Sequence, residues 1–353
     1  MNVGTNLNSS KDFTKEYYKI LSSDYPSFLE DYTNTPEMQR IATSCISCGC
    51  NYTNIFDLKF MYTNLDHSIA VALIIWNFTK DKKATLAGLF HDISTPAFKH
   101  CIDFMNGDYE NQESTEERTE SIIVNSTELM ALLKRDNIKL GEVIDYKLYP
   151  IADNDTPKLS ADRLEYTLAN GIFWKPIWNM EELKGIYKDL IVSKNEGGID
   201  ELTFKTPAIA EFFVEKASVL WQSWIANDDK ITMQFIADTC KRMNEEGFLT
   251  IEDLYSLSEK EIINKIIECP NKSISNNFLK FVGSTVVYDS EKFVEDKYCK
   301  SIKAKRRYIN PLVLVENKIQ RISTLSSKAN NSIQDFLKWN TAKYGYLDFE
   351  LEK

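Results

Sequence analysis

Helical periodicity along most of the chain is the sequence feature that most restricts its fold. Apolar residues recur at spacings of three and four in a series of segments: 67–79, 83–92, 121–135, 161–173, 209–225, 231–247 and 258–268. Glycine and proline, which interrupt helices, number only 12 and 9 among 353 residues. No segment alternates strongly between apolar and polar residues, although 305–316 (KRRYINPLVLVE) is compatible with a short strand. The pattern therefore predicts an all-α fold, in which a helical core is followed by a mostly helical C-terminal region.

Two polar segments interrupt the helical pattern and are predicted to be loops. NGDYENQESTEE at 106–117 is acidic, and VSKNEGGIDE at 192–201 contains the Gly-Gly pair of the chain. We take the second loop as a domain boundary, because boundaries fall in polar, glycine-containing linkers. The predicted parts are an N-terminal segment over 1–34, a core over 35–192 and a C-terminal region over 193–353.

Charge and composition limit the classes of function. The chain has 52 acidic and 42 basic residues and a net charge of −10, which argues against nucleic acid as a partner. A local basic patch is still compatible with a phosphorylated small molecule. We expect no membrane association, because no stretch of about 18 residues is apolar and the polar N-terminus lacks a signal-peptide core. The cysteine count of seven is odd, which argues against a disulfide framework. Together these features predict a cytoplasmic protein.

Two of the three histidines are placed as ligands of a metal site would be. His67 opens one predicted helix, the adjacent pair His91-Asp92 closes another, and Asp162 lies at the start of a third. Imidazoles and carboxylates that converge from rigid elements bind divalent metal ions. Two of each suit Mn, Fe, Mg, Ni or Zn and leave coordination positions for water and a phosphate oxygen. Any one of these residues alone is compatible with a structural role, so the joint pattern carries the hypothesis.

The third histidine, His100, is placed as a general acid would be. Pro96 disfavours helix at Thr95 and suits the first turn of a new helix, so that His100 lies near its start. Asp103 follows three residues later on the same helical face. A carboxylate in that position orients the imidazole and raises its pKa, as general acid catalysis requires.

The complete pattern, H…HD…D, resembles the HD-domain metal-dependent phosphohydrolases, which are named for their His-Asp pair. The surrounding segments DHSIAVALII, AGLFHDISTPAFKH and SADRLEYTLAN are also similar. Within that superfamily the chain is most similar to the deoxynucleoside triphosphate triphosphohydrolases, which include the SAM- and HD-domain dNTPase. PAFKH at 96–100 matches the second half of an HGPFSH-like stretch, and KRRYINPLV at 305–313 resembles a late segment. The resemblance covers roughly 35–175, and the remainder more loosely.

The resemblance implies an HD-domain core, a nucleotide substrate, a homo-oligomer and a set of functional residues. These are the metal ligands His67, His91, Asp92 and Asp162, the leaving-group acid His100 with Asp103, the phosphate contact Arg163, the pocket residue Tyr166, and Cys48 and Cys50 in a loop that contacts the sugar and base. Superfamily members that use two metals need more histidines than this chain contains. We therefore expect one divalent ion.

The chain also departs from the dNTPase pattern. The departures are Thr95 and Thr115 in place of histidines, Asn64 in place of an arginine, and Asn170 in place of an aspartate. Lys99, Arg118 and Glu116 are candidates to substitute for them. The metal ligands are intact, whereas much of the phosphate-binding shell is altered.

Two further clusters have open interpretations. CISCGC at 45–50 has the CxxC spacing of a zinc site, but no second pair follows, so a turn of small residues or the nucleotide loop above is favoured. KAKRRY at 303–308 contains Lys303, Lys305, Arg306 and Arg307. It is compatible with binding of a triphosphate or an allosteric nucleotide, and equally with a solvated face or a subunit contact.

The sequence thus predicts a metal-dependent phosphohydrolase that splits a dNTP into deoxynucleoside and triphosphate. A nucleoside monophosphate phosphatase is a close alternative. A nucleotide-binding regulatory protein with a degenerate active site is the alternative from another class, and the four altered positions motivate it.

Overall fold

The computed structural model describes residues 7–352 apart from 57, 59, 111, 113 and 115. Thr115, one of the four departures, lies outside the described residues. The helices are α1 Leu7–Leu21, α2 Phe28–Thr33, α3 Pro36–Ile41, α4 Asn64–Thr79, α5 Lys82–Phe90, α6 His100–Met105, α7 Thr119–Asn125, α8 Thr127–Arg135, α9 Ala161–Ala169, α10 Met180–Lys188, α11 Pro207–Trp224, α12 Asn227–Glu245, α13 Ile251–Ser256, α14 Glu259–Ile267, α15 Lys272–Gly283, α16 Ile322–Leu325 and α17 Ser327–Lys338. The strands are β1 Leu190–Lys194, β2 Asp200–Phe204, β3 Val287–Ser290, β4 Lys297–Lys300, β5 Leu312–Val315, β6 Lys318–Arg321 and β7 Tyr344–Glu350.

The strands form two sheets, so the all-α prediction is wrong and the fold is mixed α/β. The four-stranded sheet has the order β1-β2-β5-β6, and its central pair, β2 and β5, is parallel with Thr203 opposite Leu312. The three-stranded sheet is antiparallel with the order β3-β7-β4. Apart from β7, the strands contain only four or five residues, which is too short for a clear alternating pattern. The helical periodicity of the longer segments therefore dominated the prediction.

Helices α4, α5 and α9 position the candidate metal ligands. The first turn of α4 is fixed by a capping box, in which Thr63 and Asp66 exchange side-chain-to-backbone hydrogen bonds. Most of α4 is buried, and it lies against α5 so closely that a Cβ on Gly88 would come within 2.2 Å of Ile75 Cδ1. Close contact between α4 and α5 places His67 next to the residues that follow α5.

Two of the predicted helices differ from one continuous α-helix. The segment 121–135 is divided by Ser126, whose Oγ accepts a hydrogen bond from the amide of Leu129 and so caps α8. The segment 161–173 continues beyond α9 as a π-helical turn over Asn170–Trp174. Such turns re-aim side chains and are frequent at functional sites.

The apolar residues form two buried clusters. One extends from Tyr17 in α1 through α4, α9 and α11 to Phe336 in α17. The other joins the segment around Phe98 to α12, α14, α15 and the three-stranded sheet. The boundary that we placed between residues 192 and 193 lies inside β1, and the division into three parts stays a prediction. Within the described residues, no helix combines the length and the apolar character needed to cross a bilayer.

Candidate metal centre and adjoining cavity

The structure brings together all four residues predicted as metal ligands. The Nε2 atom of His67 lies 3.2 Å from Nε2 of His91 and 3.3 Å from Oδ1 of Asp162. The distance from His91 Nε2 to the same Asp162 oxygen is 3.7 Å. These three atoms all lie within 4.8 Å of one another. Asp92 is close to them, since its Oδ2 is 3.8 Å from His67 Nε2 and 3.6 Å from His91 Nε2.

Hydrogen bonds orient both imidazoles toward this centre. The Nδ1 atom of His91 donates to the carbonyl of Gly88 at 2.7 Å, and Nδ1 of His67 donates to Glu165. Because a carbonyl and a carboxylate only accept, each Nδ1 carries the hydrogen and each Nε2 faces the centre. Partners of this kind fix the tautomer of metal-ligating histidines.

The donor set fits one divalent ion. Ligand atoms about 2.1 Å from a common ion, at angles of 90° to 110°, are about 3.0–3.4 Å apart. The distances from His67 to His91 and to Asp162 fall in that range. The distance from His91 to Asp162, and those from Asp92 to both histidines, exceed it by a few tenths of an ångström. Two nitrogens and two carboxylate oxygens suit Mn, Fe, Ni or Zn.

The electrostatics of the centre also favour a cation. Burial lowers the pKa of His67, but Glu165 and Asp162 outweigh that effect and raise it to about 10. Burial raises the pKa of Asp162, but His67 and His91 outweigh it and lower it to about 2. For Asp92, Lys99 and the two histidines likewise outweigh burial, and its pKa lies well below the usual value. The carboxylates are therefore ionised, and positive charge beside them is stabilised.

Lys99 supplies positive charge directly beside the centre. Its Nζ atom lies 2.9 Å from Asp92 Oδ2 and donates a second hydrogen bond to the side-chain oxygen of Asn64. The side chain is only 10% exposed. Of Lys99 and Arg118, the two suggested substitutes whose side chains the structure describes, Lys99 lies at the site. Arg118 pairs with Glu252 and stacks on Tyr255, and the side chain of Glu116 lies outside what the structure describes.

The predicted acid, His100, is paired with Asp103. The Nδ1 atom of His100 lies 2.9 Å from Asp103 Oδ2, and the other Asp103 oxygen accepts from Ser114 Oγ at 2.7 Å. Asp103 is fully buried, whereas the His100 side chain is 34% exposed and faces the cavity described below. We expected the carboxylate to raise the imidazole pKa, but burial outweighs Asp103 and the net effect lowers it.

A cavity of about 640 Å³ adjoins the centre, which is within the size range of small-molecule sites. Its walls include the four candidate ligands and His100, together with the predicted contacts Cys48, Arg163 and Tyr166. Tyr166 packs edge to face against Trp224, with ring centroids 5.4 Å apart, and both rings line the cavity. The remaining predicted contact, Cys50, is buried with its Sγ 3.8 Å from Asp229 Oδ1 and is not part of the wall.

Arg163 lines the cavity, but its guanidinium holds a loop. Nη1 donates to Asn154 Oδ1 at 2.8 Å and to the carbonyl of Lys158 at 2.7 Å, and Nη2 donates to the carbonyl of Asn154 at 2.6 Å. These bonds order residues 153–160, which form part of the same wall. Phosphate contact by Arg163 stays a prediction.

The basic side chains of KAKRRY lie in different surroundings. Lys305 and Arg307 line the cavity, and Arg307 donates to Gln112 Oε1 at 2.6 Å. Arg306 instead donates to the carbonyls of Phe336 and Trp339 at the end of α17. Lys303 is exposed, and its Nζ is 3.7 Å from Glu110. Alternate residues of this extended segment therefore contribute to the cavity wall and to helix packing.

The two other altered positions within the described residues have hydrogen-bond partners. Asn170 lines the cavity and donates to the carbonyl of Tyr166 at 2.7 Å. Thr95 is buried, and its carbonyl accepts from Arg40 at 2.8 Å.

Sequence reasoning missed three acidic residues around the site. Glu165 is fully buried, and its position three residues after Asp162 on one helical face was an available signal. Asp229 lines the cavity, where burial raises its pKa to about 7 despite Cys50 and Arg307. Glu259, also fully buried, accepts from the amides of Cys45 and Phe98 at 3.1 and 3.3 Å. No local pattern marks the last two, because their partners lie far away in the sequence.

Comparisons with known proteins find relatives at low identity. No protein-family model matches the chain. The uncharacterized protein YdhJ of Bacillus subtilis is 25% identical over 305 residues, which cover 85% of this chain and 88% of YdhJ. The metal-dependent phosphohydrolase cns2 of Cordyceps militaris is 24% identical over 144 residues, which cover 41% of this chain and 40% of cns2.

Solved structures share the fold over nearly the whole chain. A phosphohydrolase from Bacteroides thetaiotaomicron superposes with a TM-score of 0.62 at 15% identity and covers 94% of this chain and 97% of its own. A hypothetical protein from Aquifex aeolicus gives a TM-score of 0.61 at 16% identity and covers 92% of both chains. The chain therefore has the fold of a known phosphohydrolase, and part of its sequence is similar to a metal-dependent one.

Proposed function

We propose that this protein is a metal-dependent nucleotide phosphohydrolase that splits a deoxynucleoside triphosphate into deoxynucleoside and triphosphate. The observation that carries the proposal is the convergence of His67, His91 and Asp162, with Asp92 beside them, at the wall of a cavity that also contains His100. Sequence similarity to the metal-dependent phosphohydrolase cns2 and the fold shared with the Bacteroides phosphohydrolase support metal-dependent phosphohydrolysis in general. The dNTP substrate rests on the sequence resemblance.

The metal ion would be held by the four ligands. When bound, it supplies stabilisation of phosphate charge and activation of water. Glu165 and the carbonyl of Gly88 hold the two imidazoles with Nε2 toward the ion. Their contribution is orientation, which is established before the substrate arrives.

The reaction would be attack of water on the α-phosphorus, so that the water oxygen becomes an oxygen of the triphosphate, a water proton passes to solvent, and the bond from phosphorus to the 5′ oxygen of the sugar breaks. That oxygen departs with negative charge and needs a proton. The Nε2–H of protonated His100 would donate it, while Asp103 keeps Nδ1 in place and stabilises the imidazolium. Ser114 holds the second oxygen of Asp103, so that the pair has one orientation.

The remaining wall suits the other parts of a nucleotide. Lys99, Lys305 and Arg307 provide positive charge for the phosphate chain. Tyr166 and Trp224 provide aromatic surface of the kind on which bases stack. The resemblance also implies a homo-oligomer, which light scattering coupled to gel filtration would test.

A product screen tests the proposal. Metal-stripped protein is reconstituted with Mn²⁺ or Mg²⁺ and incubated with each dNTP, rNTP and nucleoside monophosphate, alone and in mixtures, and products are separated by chromatography. Triphosphate plus deoxynucleoside is the expected result. Phosphate released from monophosphates would instead identify a nucleotidase.

Two variants test the assignment of roles. Asp92→Ala should lose both Mn²⁺ binding and turnover, because it removes a ligand. His100→Ala should keep Mn²⁺ binding and lose rate. Turnover of Asp92→Ala equal to wild type would contradict the metal mechanism.

A nucleotide-binding regulatory protein is the second candidate. The altered positions favour this candidate. The side chain of Asn64 accepts a hydrogen bond from Lys99, and the side chain of Asn170 donates one to the carbonyl of Tyr166, so both are engaged with neighbouring residues. It predicts nucleotide binding without turnover in every mixture of the screen.

A further inference from the structure

Lys99 is delivered to the metal centre by an unusual backbone. Phe98 and Lys99 have φ angles of 62° and 46°, in the left-handed region that L residues rarely adopt. Such strain persists only where surrounding contacts hold it. Here the amide of Ala97 donates to the carbonyl of Leu254 at 2.8 Å, and the amide of Phe98 donates to Glu259. Contacts with α13 and α14 thus hold the backbone that carries Lys99 to the site.

A single carboxylate oxygen faces both the ammonium and the metal ligands. Oδ2 of Asp92 is 2.9 Å from Lys99 Nζ, 3.6 Å from His91 Nε2 and 3.8 Å from His67 Nε2. A divalent ion coordinated by that oxygen would lie within a few ångströms of the ammonium and repel it. The repulsion is weakly screened, because the Lys99 side chain is buried.

We propose that Lys99 competes with the divalent ion for Asp92, and that a phosphate group relieves the competition by accepting the ammonium. The proposal rests on the metal-dependent function proposed above, because it requires an ion at the four ligands. Lys99 keeps its proton throughout and changes only its partner, from the carboxylate to a phosphate oxygen. Since each ligand then favours the binding of the other, metal and phosphate bind cooperatively. The protein without phosphate holds its ion weakly.

Another lysine of the cavity, Lys158, has its carboxylate partner away from the candidate ligands. Lys158 lines the same cavity, but its Nζ is 3.6 Å from Asp155 in the loop held by Arg163. It therefore provides a matched control, because Lys158→Met removes one positive charge from the cavity without touching a candidate ligand.

The test is Mn²⁺ binding, followed by electron paramagnetic resonance of the free ion, with and without inorganic phosphate. Protein-free phosphate samples correct for Mn²⁺ that phosphate itself binds. Without phosphate, Lys99→Met should bind Mn²⁺ about tenfold more tightly than wild type, which corresponds to about 1.4 kcal/mol. Phosphate should tighten Mn²⁺ binding by wild type and by Lys158→Met more than it tightens Mn²⁺ binding by Lys99→Met, in which only direct contact between phosphate and the ion remains.

A second variant guards against misfolding. Lys99→Gly removes the same charge and suits the left-handed backbone, so it should fold and should also bind Mn²⁺ more tightly than wild type. Lys99→Arg keeps the charge and should keep the phosphate effect. Equal Mn²⁺ affinity in wild type, Lys99→Met and Lys99→Gly, or an equal phosphate effect in all three, would overturn the inference. Failure of the wild type to bind Mn²⁺ at all would instead contradict the proposed function.

Discussion

The Nδ1 atom of His67 donates a hydrogen bond to Glu165, a fully buried carboxylate that also accepts from the hydroxyls of Tyr17 and Tyr62. Both tyrosines bond to one carboxylate oxygen, Oε1, and His67 to the other. The arrangement leaves the imidazole one orientation, with Nε2 toward the other candidate ligands.

Replacement of Glu165 by glutamine should weaken metal binding. The amide has one accepting oxygen where the carboxylate has two, so either His67 or the tyrosine pair faces an NH₂ group. We expect Mn²⁺ affinity to fall by about 10- to 100-fold, as for other orienting partners of metal-ligating histidines. Titration with Mn²⁺ and a circular dichroism spectrum would measure the affinity and check the fold. Unchanged affinity in a folded Glu165→Gln protein would show that His67 does not depend on this partner.

The acid role of His100 predicts the pH dependence of the rate. Burial lowers the pKa of His100 below its ordinary value of about 6.5, and Asp103 partly opposes that shift. Because the acid must be protonated, kcat should fall as pH rises through this pKa. Asp103→Asn removes the charge that favours the imidazolium, so the falling limb should move to lower pH. His100→Gln should abolish the limb and lower kcat by about 10²- to 10⁴-fold.

Ser114→Ala provides the graded comparison for that profile. It removes one hydrogen bond to Asp103 and leaves the carboxylate charge in place. It should therefore reduce kcat less than Asp103→Asn does, and the pH at which kcat falls should hardly change. A limb that is identical in wild type and His100→Gln would rule out His100 as the titrating acid.

Glu259 makes stability depend on pH near neutrality. Burial raises its pKa to about 7, although hydrogen bonds from Cys45, Tyr52 and Phe98 act in the opposite direction. In the unfolded chain the group titrates near about 4.3, so between these values the folded state keeps a proton that the unfolded state has lost. This stabilisation is complete below about pH 4.3 and is lost as pH rises through about 7.

Glu259→Gln cannot titrate and should remove this dependence. Between about pH 5.5 and 7, the unfolding free energy of the wild type should fall by about 2 kcal/mol more than that of Glu259→Gln. Urea denaturation at a series of pH values measures both. Glu261→Gln, two residues away on the exposed side of α14, should leave the loss in place. If the unfolding free energies of wild type and Glu259→Gln changed with pH in the same way, Glu259 would not be the source of the pH dependence.

Because Arg306 packs against a helix and Arg307 lines the cavity, replacing Arg306 should affect stability, whereas replacing Arg307 should affect nucleotide affinity. Arg306 donates at 2.9 and 2.7 Å to the carbonyls of Phe336 and Trp339, where a cation also favours the end of helix α17. Arg306→Met should lower the unfolding free energy by about 1–3 kcal/mol and leave nucleotide affinity unchanged.

Arg307→Met should lower nucleotide affinity and leave the unfolding free energy unchanged, because Arg307 lines the cavity. We expect nucleotide affinity to fall about tenfold, which corresponds to about 1.4 kcal/mol. Calorimetric titration with a dNTP and thermal unfolding of both variants would compare them. An exchange of the two phenotypes would contradict this assignment of the two arginines.

Local spacing in the sequence predicted the parts of the site that depend on one helix or one turn. His100 and Asp103 are hydrogen bonded because they are three residues apart in α6, and Pro96 marks the preceding break. The candidate ligands of α4, α5 and α9 also lie at helix ends, as their positions in the pattern indicated. Such features depend on the periodicity of backbone hydrogen bonds, which a single segment determines by itself.

The tertiary structure alone decided the sheets and the orientation of the wall residues. β2 pairs with β5 across more than a hundred residues, and neither strand is long enough to show an alternating pattern. Arg163 holds a loop, Cys50 lies behind the wall residue Asp229, and Arg306 and Arg307 face different neighbours. Glu259 and Lys99 act through partners from distant segments. The sequence determined which residues share a helix, whereas the packing of those helices and strands determined which charges meet, because charge pairing depends on distances that no local pattern encodes.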